Sequence, residues 1–355
     1  MGRKRVLVAM SGGTDSSAAC MLLQEQGYEI EGITMRMWEK PSERGMEEPP
    51  YIREARLLAE RLQFPHHVLN IQEDFRRCVV NDFIGEYMQG RTPNPCVQCN
   101  IHIKMKYLIE EADRLGCDFV ATGHYARVAE EEGVYYVEKG ADVKKDQSYF
   151  LWGLGQEVLS RMIFPLGGMT KEDARNVARR MGFVHIAEKS ESQDICFVDT
   201  DYRDFLRREH ATIDEEVGSG NFVDIHGKVL GRHKGFPYYT IGQRKGLEIA
   251  LGEPMYVLHI DAERNEITLG RKEYLQTKEM SLRNCNFPSS ETLSPNEIVH
   301  VKIRYKSQSV PAYVERIEGS TAYLRFVSPI EAITPGQSGV LYRNDRVIGG
   351  GIICG

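Results

Sequence analysis

Arg5-Val6-Leu7-Val8-Ala9-Met10-Ser11-Gly12-Gly13-Thr14-Asp15-Ser16-Ser17 decides how the rest of the chain is read. A short apolar run, long enough for one strand, meets two glycines and then residues able to open a helix. Between a strand and a helix, glycines let the backbone turn tightly and approach a ligand. The free N–H groups at the helix start then point at an anion. Ser11 and Ser16 add hydroxyl donors. Asp15 would repel a phosphate, so the sequence predicts a Mg²⁺ ion between the two. The loop lacks Gly-Lys-Ser/Thr, which excludes Walker A, and it lacks the dinucleotide fingerprint G-x-G-x-x-G.

Outward from this loop, strand and helix alternate. Residues 15–26 read as a helix, 30–37 as a strand, 51–62 as an amphipathic helix and 67–71 as a strand. Helices are expected over 75–88 and 101–115, then a strand over 118–122. The alternation predicts an α/β fold, a mostly parallel sheet with helices on both faces. A hairpin is expected at 126–139, and a helix at 170–181 capped by Thr170, with Glu172 and Asp173 in its first turn. After about residue 201 the pattern changes. A charged helix over 201–210 leads into strands at 221–225 and 229–231, a Gly-rich basic stretch over 231–246, and a hairpin over 256–270. Clean alternation at 299–305, with short strands near 312–317, 321–326, 339–342 and 347–354, predicts a C-terminal β-barrel. The expected domains are 1–203, a small central mostly-β domain at 204–278, and the barrel at 279–355.

The chain has 355 residues, 41% apolar and 27% charged, with a net charge of −6. No apolar run reaches the roughly 18–20 residues of a membrane span. The acidic balance does not advertise nucleic-acid binding, but a fold can gather its positive charge on one face. Eight cysteines without short regular spacing do not make a secreted disulfide framework and favour a reducing cytoplasm. The first ten residues are basic, then apolar, like a signal peptide, but the apolar part stops at Ser11 and reads as a strand.

Cys96 and Cys99 lie in Thr92-Pro93-Asn94-Pro95-Cys96-Val97-Gln98-Cys99-Asn100. Two prolines forbid helix until after Pro95. Cys99 is then expected near the start of the helix at 101, where a thiol's pKa falls, with Lys104 and Lys106 adding positive potential. Cys196 follows the polar stretch Ser190-Glu191-Ser192-Gln193-Asp194 and reads as a loop residue. Zinc is a second reading of Cys-x-x-Cys, but there is no second such pair and no well-spaced histidine pair; His66, His67 and His102 are the nearest candidates. Cys20, Cys78, Cys117, Cys285 and Cys354 sit in unremarkable contexts.

With these residues in view, Ser-Gly-Gly-x-Asp-Ser-Ser resembles the PP-loop of the ATP pyrophosphatases, and the chain resembles the bacterial tRNA-specific 2-thiouridylases nearly end to end. The matching blocks are residues 11–17, Gly32-Ile33-Thr34-Met35-Arg36-Met37-Trp38, residues 93–100, Ala121-Thr122-Gly123-His124-Tyr125-Ala126-Arg127, Lys145-Asp146-Gln147-Ser148-Tyr149-Phe150, residues 192–198 and Gly242-Gln243-Arg244-Lys245-Gly246. The resemblance implies a PP-loop parallel-sheet domain and ATP-dependent 2-thiolation of the wobble uridine in the anticodon stem-loop of tRNA. It implies that Ala9, Met10, Ser11, Gly12, Gly13, Thr14, Asp15 and Ser16 hold the ATP phosphates, and that Met35 and Gly123 line the adenine and ribose region. Asn94, Pro95 and Cys96 would meet the target base. Cys99 would be the nucleophile and Cys196 the persulfide carrier, loaded by a protein persulfide donor. Lys145, Asp146, Gln147, Arg304 and Tyr305 would touch tRNA. A cytoplasmic monomer is expected.

Many members of that family carry aspartate where this chain has Cys96. The exchange makes a third cysteine, and three thiolates would leave one iron of a [4Fe–4S] cluster open for sulfide. We place the persulfide route ahead of the cluster route. A reading of another class is an adenylating amide-forming synthetase, which shares the loop but needs neither Cys99 nor Cys196. Basic residues recur at Arg175, Arg179 and Arg180; at Arg207 and Arg208; at Arg232 and Lys234; and at Arg244 and Lys245. Lys302, Arg304 and Lys306 alternate, which predicts one strand face able to follow a phosphate backbone. Tyr238, Tyr239 and Tyr305 are candidates for stacking on splayed bases, and His124 for a nucleotide contact or a structural hydrogen bond.

Overall fold

The structure is a computed structural model that describes residues 3–43, 45–189, 195–249, 252–289, 293–294 and 296–354. Ser192, Gln193 and Asp194 of the second cysteine motif lie outside the described residues. The chain divides into two compact units. The first is Met1–Val79, Cys96–Phe197 and Arg343–Ile348; the second is Val80–Pro95, Val198–Tyr342 and Gly349–Gly355.

The first unit is built on β1 (Arg5–Ala9), whose Val6, Leu7 and Val8 are wholly buried. Burial on both faces is the mark of a central strand in a parallel sheet. Helix α1 (Thr14–Glu25) follows, then β2 (Glu29–Arg36), α2 (Pro50–Leu62), β3 (His66–Asn70) and β4 (Phe119–Ala121). A hairpin of β5 (Ala126–Glu131) and β6 (Val134–Lys139) precedes the short β7 (Met162–Ile163). The parallel sheet runs β3-β2-β1-β4-β7, with Val6 beside Ile30 on one flank and Phe119 on the other. The strand order therefore reverses between β1 and β4, and the crevice beyond their carboxyl ends is where such sheets bind ligands. Ala18, Met21 and Leu23 of α1 close the core against Val6 and Val8, with Leu166, Val177 and Phe183. The helix Lys171–Arg180 opens with a full capping box: Thr170 accepts from the Asp173 N–H, and Asp173 accepts from the Thr170 N–H at 2.8 Å.

The helix expected from residue 101 begins earlier and is wound unevenly. Pro95–Cys99 is α-helical, Asn100–Lys104 is a π turn, and Met105–Leu115 is α-helical again. Proline at the first helical position is compatible with helix, because its missing N–H would have had no partner there. The expected start therefore moves back by about two turns, and Cys99 is no longer near the helix end.

In the second unit, helices Tyr202–Glu209 and Ile213–Val217 precede β8 (Gly220–Val223), β9 (Val229–His233), β10 (Tyr256–Asp261) and β11 (Glu266–Gly270), a sheet ordered β10-β11-β8-β9. The barrel comprises β12 (Gln276–Asn286), β13 (Ile298–Lys302), β14 (Val310–Glu318), β15 (Thr321–Glu331), β16 (Ser338–Arg343) and β17 (Arg346–Ile353). Its strands neighbour one another as β12-β15-β14-β13-β16-β17, and β12 pairs with β17 to close the ring. The sequence reading did not include β12, the strand that makes closure work. Two further expectations are corrected. Strand β13 ends at Lys302, so Arg304 and Lys306 lie in the turn beyond it and share no strand face. Tyr238 and Tyr239 are buried, the former donating to Asp214 at 2.7 Å, so neither presents a ring for base stacking. Among the described residues, no helix is long and apolar enough to cross a membrane.

Both tryptophans, Trp38 and Trp152, lie in the first unit, so their fluorescence reads its unfolding. Leu7→Ala leaves a cavity in the central strand and is expected to cost about 2–5 kcal/mol. A lower urea midpoint by tryptophan fluorescence, with the slope unchanged, checks this.

Candidate functional site

The loop at 11–17 folds on itself through its hydroxyls. The Ser11 N–H donates to Ser16 Oγ at 3.1 Å, and the two hydroxyl oxygens also lie 3.1 Å apart. Ser17 Oγ donates to Gly13 O at 2.8 Å, and Thr14 Oγ1 to Ile186 O at 2.6 Å. Gly12 has a φ of 67°, and a Cβ there would stand 2.5 Å from Tyr51 O. A Cβ on Gly123, just past β4, would stand 2.7 Å from the Asp15 carbonyl carbon and 2.8 Å from Ser16 N. Glycine at both places lets three backbone segments meet at the mouth of the sheet. Ala9 and Met35 sit on the strands leading into this mouth, Met10 directly follows β1, and Met10 and Met35 are buried.

Asp15 is not an unanswered charge. Lys171 Nζ donates to its two carboxylate oxygens at 2.7 and 2.9 Å, and the Tyr125 hydroxyl donates at 2.7 Å. Without ligand, the Asp15 carboxylate is thus answered by one ammonium and one hydroxyl. A second lysine, Lys189, donates to Gly12 O at 2.8 Å and pairs with Glu54. The sequence reading passed over both lysines, which stand far from the loop in sequence.

The cysteines form the other half of the first unit's chemistry. All eight are free among the described residues. Cys96, Cys99 and Cys196 each feel the charge of Lys104, and Cys96 and Cys99 each feel Cys196. Burial is the largest influence on all three and pushes their thiols up, Cys99 to about 12; Lys104 opposes it. The low thiol pKa expected from a helix N-terminus is thus overturned at Cys99, which lies a turn inside its helix and is 4% exposed. Cys196 is exposed yet densely surrounded, and Lys104 is half-buried in the same way. Both have close neighbours and still reach solvent. Among the described residues, no group of three His, Cys, Asp or Glu side chains is disposed to hold a metal ion. The three thiols thus share one electrostatic environment set by burial and Lys104.

Residues 4–200 match a family described as "tRNA methyl transferase HUP domain", residues 203–271 one described as "tRNA methyl transferase PRC-barrel domain", and residues 277–353 an "Aminomethyltransferase beta-barrel domain". The chain is 50% identical over 353 residues to the tRNA-specific 2-thiouridylase MnmA 3 of Phocaeicola vulgatus, covering 99% of this chain and 94% of the relative. It is 47% identical over 362 residues to the tRNA-specific 2-thiouridylase MnmA of Carboxydothermus hydrogenoformans, covering 99% and 98%. The corresponding match in Amoebophilus asiaticus is 46% identical over 361 residues, covering 99% and 96%. The chain belongs to the tRNA-specific 2-thiouridylase family.

In this member of the 2-thiouridylase family, the residues expected on tRNA divide in two. Asp146 is buried and accepts from Gly140 N, Ser148 N and Ser148 Oγ at 3.0–3.1 Å. Gln147 accepts from the Tyr125 N–H at 2.9 Å. These bonds pin the loop; Gln147 and Lys145 in it are half-buried. In the second unit, Arg304 lines a cavity of about 730 Å³ with Arg203, Arg244, Lys245, Gln243 and Thr334. Among the described residues, no acidic side chain lines it. Arg304 is held by bonds to Ala332 O at 2.6 Å and Thr334 Oγ1 at 2.8 Å. Thr92, two residues before Asn94 and Pro95, forms part of the same wall. Tyr305 lies with its ring 5.5 Å from Lys302 Nζ.

His124 joins the cysteine group through Lys104. Its Nδ1 lies 2.7 Å from Thr122 Oγ1, and burial, helped by Lys104, pushes its pKa from 6.5 down to about 3. It therefore stays neutral between pH 5 and 8, and an NMR titration of its ring should be flat there. Because the unfolded state takes this proton first, His124 withdraws stability as pH falls from about 6.5 towards 3 and contributes nothing above that window.

Proposed function

We propose that this protein is an ATP-dependent tRNA-uridine 2-sulfurtransferase acting on the wobble uridine of the anticodon stem-loop. The observation that carries the reading is the grouping of Cys96, Cys99 and Cys196 about Lys104 in the unit that holds the phosphate loop. The family descriptions speak of methyl transfer and the relatives of thiolation. Three grouped thiols favour sulfur transfer, and an amide-forming synthetase needs none of them. The matched spans favour the three-part division at 203/204 and 278/279, with catalysis in the first part.

The uracil O2 attacks the α-phosphorus of ATP, the bond to pyrophosphate breaks, and an O2-adenylate forms. Residues 9–16 bind the phosphates. Backbone N–H groups of the loop stabilise charge at the transferred phosphorus. Met35 and Gly123 border the nucleotide, and Asn94, Pro95 and Cys96 border the target base. The terminal sulfur of a Cys196 persulfide then attacks carbon 2, and AMP leaves with the C–O bonding pair. The Cys99 thiolate attacks the Cys196 sulfur, forming a Cys99–Cys196 disulfide and releasing 2-thiouridine. A dithiol reductant and a protein persulfide donor restore the enzyme. Mg²⁺ accompanies ATP as part of that substrate.

The cationic cavity of the second unit suits phosphodiester oxygens, which are read by charge and geometry rather than by base.

Cys99→Ser and Cys196→Ser are expected to abolish 2-thiouridine formation, read by nucleoside mass spectrometry, while tRNA-dependent pyrophosphate release persists. Thiolation by the doubly substituted protein would eliminate the reading. Arg244→Ala with Lys245→Ala should weaken tRNA binding at all sequences. It should also flatten the log–log salt slope by about one per lost phosphate contact; an unchanged slope would remove this cavity from the RNA surface.

A further inference from the structure

The π turn at Asn100–Lys104 has a geometric consequence. In a regular α-helix, residues five apart point about 140° away from each other around the axis. In a π turn the bond runs from residue i+5 back to i, so residues five apart lie over one another. Here the Met105 N–H donates to Asn100 O. The widened turn carries Lys104 round to the side of Cys99, which it would otherwise face away from. Asn100, the first residue of the turn, is buried and anchored by its Nδ2 to Phe150 O at 3.1 Å.

The surroundings of Lys104 are unusual for a lysine. Lys106, two residues on, is 53% exposed and pairs with Glu110 at 3.9 Å, an ordinary helix-surface arrangement. Among the described residues, the charge partners that raise the pKa of Lys104 are all sulfurs: Cys99 first, then Cys196 and Cys96. His124, the remaining titratable group it faces, stays neutral, and Cys196 also feels Lys40. Burial works against the ammonium, and the sulfurs more than offset it, so its pKa is raised. A half-buried cation that no carboxylate answers among the described residues is available to an anion that forms beside it.

We infer that Lys104 is a positioning residue for sulfur transfer: the π turn brings its ammonium round to the side of Cys99, within electrostatic reach of Cys196, where it stabilises the thiolate that attacks and the one that departs. The inference rests on the sulfurtransferase reading and adds a residue to it. On the sulfur expelled when a dithiol reductant opens the disulfide, Lys104 stabilises the electron pair that the leaving thiolate keeps; on the attacking sulfur, the step it assists is proton loss. The S–H bond breaks, the electron pair stays on sulfur, and the proton goes to water. Lys104 keeps its own protons throughout and forms no bond to substrate. Its charge matters for sulfur chemistry, whereas adenylation takes place on the loop at 11–17.

The test is iodoacetamide alkylation of the full-length protein from pH 6 to 10, resolved for Cys96, Cys99 and Cys196 by peptide mass spectrometry. Alkylation follows the thiolate, so the profile reads ionisation directly and needs neither ATP nor tRNA. Lys104→Met should slow Cys196 alkylation at pH 8 about tenfold and move its profile up by about one pH unit. Lys104→Arg should restore the wild-type profile, because only the charge is required. Where the methionine variant fails to fold by circular dichroism, Lys104→Gln serves the same comparison. An unchanged profile in a folded, uncharged variant overturns the inference, as does an arginine variant shifted as far as the methionine one. Pyrophosphate release that falls while alkylation stays unchanged would assign Lys104 to the nucleotide and also overturn it. Absence of thiolation by the wild-type protein would defeat the sulfurtransferase reading instead, and the alkylation profiles would still decide the role of Lys104.

Discussion

A thiol in crowded surroundings stays protonated unless a positive charge faces it, and that constraint organises the first unit around Lys104. The three lysines of this unit's chemistry are answered differently. Lys171 is bound to the Asp15 carboxylate and Lys189 to Glu54 and Gly12 O, so the phosphate loop is charge-balanced before any ligand arrives. Among the described residues, Lys104 is answered by sulfur. A neutral thiol leaves its charge unspent and a thiolate uses it. The loop side of the unit is thus set for holding and the cysteine side for reacting.

Much of this was legible in sequence wherever the physics is local. Glycine, hydroxyl and carboxylate chemistry at residues 11–17 acts over a few bonds, as does the capping box at Thr170 and Asp173. The alternation of strand and helix sufficed for a parallel sheet ordered about β1. Helical phase was not legible. Nothing in Asn100-Ile101-His102-Ile103-Lys104 announces a turn wound wide, and an error of one residue sends Lys104 to the wrong side. Strand β12 escaped for a related reason. Its pairings shift register between Thr277 and Glu279 and again between Arg283 and Asn286, and Asn284 has a φ of 51°, so the two-residue period is broken twice. Lys171 and Lys189 were invisible because their partners lie 156 and 177 residues away, and chain order carries no trace of such contacts. The burial of Asp146 is likewise tertiary: the residue looks like an exposed loop acid until its three donors are seen.

On the proposed chemistry, exposure orders the sulfurs. A persulfide is loaded from another protein, so the sulfur that receives it must be reachable; Cys196 is exposed and Cys99 is not. A disulfide between them would present the Cys196 sulfur to solvent, and a reductant attacking there expels Cys99. In thiol–disulfide exchange, the thiol that leaves as the more stable anion leaves faster. A lysine facing Cys99 therefore serves the cycle twice, once when that sulfur attacks and again when it is expelled. Without the charge, burial would slow both steps together, since the same protonated state is favoured at each. Cys99 can thus stay buried, away from solvent oxidants, and still ionise, because the half-buried Lys104 faces it.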